Sequence, residues 1–324
     1  MKCISKKFLI ITGIVAGFVF VLSGCGGKGS ETVSQYLQDE YNENLYEGIA
    51  ISDGICVSTE DVRLDGVTDE SEFHAVGLFD VNDEKVLYAD SIHDKLYPAS
   101  LTKLMTALVA FEHGSLDEEV VVSAKTAASS FPIYAQVCGL KEGDVWTLRD
   151  LLYALLLYSG NDAASTIAEH IGGTQEAFVD MMNEKSREIF AMNTHFMNPH
   201  GLHDPEHYTT AYDLYLIFNE CLKHDEFLEM ISCKSLNAQY KDADGVVRSR
   251  EFQPTNLYAK KTVPSPTNVT IVGGKTGTTD EAGNCLILLE YDEFNKPYIS
   301  IVMGANGKSR LYQKMTSVIE AIPE

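Results

Sequence analysis

What most limits how this chain can fold is the distance between its strand-like segments. Residues 74–81 and 85–89 read as two strands joined by the polar turn Asn82-Asp83-Glu84. Strand character returns only at 269–273, 285–291 and 298–303, the last two joined by Asp292-Glu293-Phe294-Asn295-Lys296. Between them, residues 116–230 follow a helical period, clearest at 148–158, 163–171, 175–190 and 211–222, with Gly or Asn-Pro breaks. An antiparallel sheet of about five strands must therefore gather segments from both ends of the chain around a helical insertion. The expected class is α+β: a sheet flanked by helices, an inserted all-helical subdomain at about 116–230, and one domain over 49–324. A first helix is expected from about Ser100 to Glu112 behind Pro98, and an amphipathic one at 309–322. There is no internal repeat.

The N-terminus is a separate piece. Lys2, Lys6 and Lys7 precede an uncharged apolar run of 15 residues, 8–22, shorter than a spanning helix needs. It ends in Leu22-Ser23-Gly24-Cys25, small residues before a cysteine, which resembles the bacterial lipobox. Residues 1–24 are expected to be a lipoprotein signal peptide, Cys25 the lipidated N-terminus, and 25–48 a flexible tether rich in Gly, Ser, Glu and Asn. The protein would then be exported and held at the outer face of the bacterial membrane.

Charge narrows the function classes. The chain has 25 basic and 47 acidic residues, a net of −22, and such a surface repels phosphate backbones. No nucleic-acid partner is expected. Besides Cys3 and Cys25, five cysteines remain without C-x-x-C spacing, so buried free thiols are expected rather than a disulfide framework or a zinc knuckle.

Three short motifs follow one another. Ser100-Leu101-Thr102-Lys103 is S-x-x-K at a helix start, where a spacing of three puts amine and hydroxyl on one face. Serine needs a base to become a nucleophile, and a desolvated lysine beside a second cation can supply one. Ser159-Gly160-Asn161 falls in a helix-connecting loop, where a hydroxyl and an amide can project into a cleft. Lys275-Thr276-Gly277-Thr278 lies on or beside a strand after Gly273-Gly274, with a glycine that lets a ligand approach the backbone.

In this order the motifs are those of penicillin-binding proteins and class A β-lactamases. The chain resembles the serine-type D-alanyl-D-alanine carboxypeptidases, the low-molecular-mass penicillin-binding proteins, over residues 73–322. Pro98-Ala99-Ser100-Leu101-Thr102-Lys103-Leu104-Met105-Thr106, Ser159-Gly160-Asn161-Asp162-Ala163-Ala164, Asn198-Pro199-His200-Gly201-Leu202 and Thr210-Ala211-Tyr212-Asp213-Leu214 carry the resemblance. It implies a β-lactamase/transpeptidase-like fold. It also implies that Ser100 attacks the carbonyl between two terminal D-alanines with Lys103 as base, and that Ser159 relays a proton to the leaving amine. Asn161 would bind the peptide side of the substrate, and Lys275, Thr276, Gly277 and Thr278 its carboxylate end. The backbone N–H groups of Ser100 and Thr278 would form the oxyanion hole. Peptidoglycan stem peptides would be the substrate and β-lactams covalent inhibitors, with no metal or organic cofactor.

The chain departs from the family in that only 46 residues follow Thr278, whereas members often add a β-rich domain and a membrane-binding helix. A β-lactamase is the second reading, disfavoured by Gly160, where class A enzymes have aspartate, and by the lack of an E-x-x-L-N segment between Asn161 and Lys275. A penicillin-recognising sensor without turnover is the third. His200, His203 and His207, with Asp204, are read as a proline-turned loop rather than a metal site.

Overall fold

Segments from both ends of the chain do build one sheet. The computed structural model describes residues 54–64, 67 and 73–323. Cys25, the signal and the tether lie outside the described residues. Strands β1 (Ala75–Asp80) and β2 (Lys85–Asp90) form the expected hairpin, and β7 (Val269–Thr279), β8 (Gly283–Asp292) and β9 (Pro297–Ala305) a meander. They join in the order β2-β1-β9-β8-β7, with every neighbour antiparallel.

Residues 285–290 of β8 are buried without a break, because both faces of the sheet are covered. Leu286 and Leu288 face one hydrophobic cluster, and Ile287 and Leu289 the other. The first cluster is closed by α7 (Lys308–Glu320), whose Leu311, Tyr312, Met315, Val318 and Ile319 recur at helical spacing. The second is the main core around α1 (Lys103–His113), buried from Lys103 to Ala110. A helix apolar on all sides belongs in the centre, and α1 packs on α3 (Asn161–Gly172) and α5 (Ala211–Cys221).

The remaining helices are α2 (Leu148–Tyr153), α4 (Gln175–Glu188) and α6 (Asp225–Ser232). Thr147, Thr174 and Thr210 cap α2, α4 and α5 by accepting the N–H of Asp150, Ala177 and Asp213 at 3.0–3.1 Å.

The helical region is not helical throughout. β3 (Glu119–Val121) and β4 (Val145–Thr147) pair there and continue into β5 (Leu236–Lys241) and β6 (Val247–Phe252), giving a second, four-stranded sheet. Strands of three residues are too short to display a period, and β6 is mostly exposed; β5 does alternate, with Leu236, Ala238 and Tyr240 against the core and Asn237, Gln239 and Lys241 exposed, but over only six residues. The turn of this hairpin is Asp242-Ala243-Asp244-Gly245: Gly245 has φ 77°, and the Asp242 carboxylate accepts the Val246 N–H at 2.9 Å. Cys56, Cys138, Cys221 and Cys285 are buried free thiols, and Cys233 is a half-buried one.

Candidate active site

Ser100 lies in a 3-10 turn, Ala99–Thr102, that leads directly into α1, so the expected single helix starts in a tighter form. The turn is strained: Ala99 has φ 47°, a left-handed conformation that costs an alanine about 1–3 kcal/mol. Lys103, the first residue of α1, is fully buried. Its Nζ lies 2.9 Å from Ser100 Oγ, 2.7 Å from Asn161 Oδ1 and 2.6 Å from the His200 carbonyl. Burial, and secondarily the charge of Lys275, hold its pKa well below that of an ordinary lysine. A neutral amine has two N–H bonds and one lone pair. The two carbonyl oxygens can only accept, so they take both N–H bonds, and the lone pair is left for the Ser100 hydroxyl.

The second motif follows a helical turn widened to π form, Ala154–Tyr158, a feature frequent at functional sites. The turn ends at Ser159, itself left-handed with φ 71°. A side chain on Gly160 would come within 2.2 Å of Cys138 Sγ and 2.9 Å of Asp162 Oδ1, so the middle position of this triplet has to be glycine here. Asp162 explains the crowding. Its buried carboxylate accepts the N–H groups of Cys138, Gly139, Leu140 and Ala163 at 2.7–3.0 Å, and Asn161 N–H reaches the Gln136 carbonyl at 2.8 Å. The 136–140 loop is thereby fastened to the start of α3.

Lys275 reaches in from β7. Its buried Nζ donates to Ser159 Oγ and to the Thr276 carbonyl, both at 2.8 Å, and burial pulls its pKa down to about 7. Ser159 accepts that bond and keeps its own hydroxyl hydrogen to donate. Thr276 Oγ1 meets Thr255 Oγ1 at 2.6 Å, and Thr278 Oγ1 donates to the Gly277 carbonyl at 2.7 Å and to Asn284 Oδ1 at 3.3 Å. At Gly277 the strand lies against the Ser100 turn: a Cβ there would be 3.1 Å from both Pro98 O and Ser100 N. Ser100, Ser159, Thr276, Gly277 and Thr278, with Gln136 and Thr255, line a cavity of about 190 Å³.

The family model described as D-alanyl-D-alanine carboxypeptidase matches residues 67–307 of this chain. The chain belongs to that family. D-alanyl-D-alanine carboxypeptidase DacF of Bacillus subtilis is 32% identical to this family member over 242 residues, 73% of this chain and 58% of the relative. A D-alanyl-D-alanine endopeptidase of Escherichia coli is 29% identical over 233 residues, 71% of each chain. The chain thus spans under two thirds of the length of DacF. Among solved structures, the Streptomyces K15 DD-transpeptidase superposes with a TM-score of 0.72 at 24% identity, covering 79% of this chain and 98% of its own. The D-alanyl-D-alanine carboxypeptidase of Mycobacterium tuberculosis H37Rv gives 0.68 at 26% identity, covering 80% and 94%. The fold of this family member is the one expected.

Every motif side chain named from the sequence reaches this one site. Left without a role by the sequence are a backbone carbonyl, at His200, and the groups behind the motifs, Asp162 and Thr255, of which only Thr255 lies outside the stretches that carry the resemblance. A main-chain acceptor has no side-chain signature; Asp162 carried a weak one, as an acid in the first turn of a helix. The histidines diverge: His200 stacks edge-on with Phe131, His203 with Tyr97, and His207 bonds Thr102. Among the described residues no group of His, Cys, Asp or Glu stands where it could hold a metal ion, and no helix is long and apolar enough to cross a membrane.

Proposed function

We propose that this chain is a serine D-alanyl-D-alanine carboxypeptidase that removes the terminal D-alanine from peptidoglycan stem peptides. The observation that carries the reading is the placement of Lys103 Nζ, 2.9 Å from Ser100 Oγ with its other two directions occupied by carbonyl oxygens. Neutral Lys103 takes the Ser100 proton as Oγ attacks the carbonyl between the two D-alanines. The Ser100 and Thr278 N–H groups hold the oxyanion. Ser159 passes a proton to the departing amine, and Lys275, still charged below about pH 7, orients its hydroxyl. Water then cleaves the Ser100 ester. Asn161 binds the peptide chain, while Lys275 with Thr276, Gly277 and Thr278 receives the terminal carboxylate.

β-Lactams, a strained amide beside a carboxylate, fit the same groups and would leave Ser100 as a slow ester. The substrate is extracytoplasmic, in keeping with removal of residues 1–24 and a lipid on Cys25; Cys25→Ala would release or misprocess the protein. The deciding experiment is mass-spectrometric detection of D-alanine released from a peptide ending in D-Ala-D-Ala, with Ser100→Ala as control. Release by the wild type alone supports the carboxypeptidase. Cleavage of cross-linked dimers without such release would overturn it in favour of an endopeptidase.

A further inference from the structure

Behind the nucleophile lies a buried histidine that the proposed chemistry does not use. His207 is 2% exposed. Its Nδ1 accepts the Met197 N–H at 3.0 Å, and its Nε2 is 2.8 Å from Thr102 Oγ1, which donates to the Ala99 carbonyl at 2.8 Å. These contacts settle the tautomer. Nδ1 offers its lone pair, so the ring proton sits on Nε2; the one hydroxyl hydrogen of Thr102 is committed to Ala99, so Thr102 accepts from Nε2. The bonds run one way, from Nε2–H to the Thr102 hydroxyl to the Ala99 carbonyl. Burial pulls the His207 pKa down to about 4 and keeps the ring neutral, as an Nδ1 that faces an N–H must be.

Each end of this chain of bonds belongs to a different part of the site. Ala99 is the left-handed residue just before Ser100. Met197 opens the loop whose His200 carbonyl takes an N–H of Lys103. The two parts touch where Gly201, at φ 85°, lies so close that a Cβ would be 1.8 Å from the Ala99 oxygen. Thr106, one turn into α1, donates to Pro199 O of the same loop at 2.6 Å. A strained turn persists only when its surroundings over-determine it, and His207 spans both parts.

We propose that His207 is a positioning residue: through Thr102 it sets the nucleophile's turn against the loop that orients the lysine base. This rests on the acyl-transfer reading above. Misplacement by about an ångström at a reacting centre can cost about 100-fold, so His207→Ala and Thr102→Val should each slow β-lactam acylation of Ser100 by about 10- to 100-fold. In D-alanine release, kcat should fall while KM stays within about threefold. The double variant should be no slower than the worse single variant, because both changes cut one chain of bonds. His207→Gln, whose amide can still donate to Thr102, should recover part of the rate.

The test measures acylation by a chromogenic β-lactam and D-alanine release with the full chain, alongside thermal unfolding. Singles with wild-type kcat, a double variant whose loss is the product of the singles, or a folded His207→Gln no faster than His207→Ala would overturn the proposal. If His207→Ala does not fold, Thr102→Val compared with Thr102→Ser reads the same link from its other end. There, equal rates overturn the proposal, and a slow valine with a competent serine supports it. A folded wild type that takes no label and releases no D-alanine overturns the functional reading, and this inference with it.

Discussion

The two faces of the five-stranded sheet each bury ionisable groups, and the contrast separates what burial does from what a polar cradle does. On the Ser100 side, Lys103 and Lys275 are fully buried, yet each Nζ has named oxygen partners. On the α7 side, Glu290 is as deeply buried, but Ser300 alone is seen to bond it, through Oγ at 3.2 Å and through its backbone N–H, and Oε1 has no partner among the described residues. Desolvation pushes all three toward neutrality, the lysines by lowering and the carboxyl by raising the pKa. Only where directional partners fix the atoms can the neutral form do chemistry. A buried titratable group is thus a cost on the α7 side and, on the other, a group held in place for the proposed chemistry.

The largest effect should come from cutting the cradle's centre. Ser100→Ala and Lys103→Met should each lower acylation by about 10³-fold or more while far-ultraviolet dichroism stays native. A folded Lys103→Met that still labels with penicillin would break the comparison, because burial would then have depressed that pKa to no purpose. Next is Asp162→Ala, which leaves several buried N–H groups unpaired and should cost about 3 kcal/mol in urea unfolding. It should also slow acylation, with Asp162→Asn between it and wild type; unchanged stability would mean that the 136–140 loop is held by something else.

The pH profile sharpens the contrast within the catalytic face. The rate constant kcat/KM should rise with pH as Lys103 loses its proton and fall above about pH 7 as Lys275 loses its own. Lys275→Arg, charged throughout, should lack the alkaline limb; a limb that survives belongs to another group. The smallest effect is at Glu290, whose folded pKa lies above the unfolded value. The folded state keeps a proton that the unfolded chain gives up, so stability is full below about pH 4.5 and declines as pH rises toward the folded pKa. Above about pH 4.5, wild type should lose stability with rising pH relative to Glu290→Gln. Parallel curves would show that Glu290 is solvated after all.

Much of the fold was legible because its long elements have clean periods. The β1–β2 hairpin, the meander β7–β9 and the helices α3 to α5 stand within a few residues of where alternation and helical spacing put them. The second sheet was not, since β3 and β4 are too short for any period, β6 is mostly exposed, and the alternation of β5 covers only six residues. Helix α6 falls almost wholly within the helical region 116–230 but did not stand out as an element of its own; it has only eight residues, three of them buried.

The site divides along the same line. By itself the sequence indicated the partnership of Ser100 and Lys103, since a spacing of three at a helix start puts both on one face. It also determined which residue types were on offer: a second serine, an amide, a second lysine. Only the tertiary structure decided that Lys275 meets Ser159 across 116 residues, that Lys103 meets Asn161 across 58, and that a carbonyl at His200 completes the cradle. The reason is physical. Short-range spacing follows from local backbone geometry, but a lysine whose pKa is held well below the ordinary value needs desolvation and a neighbouring charge, and packing alone supplies both.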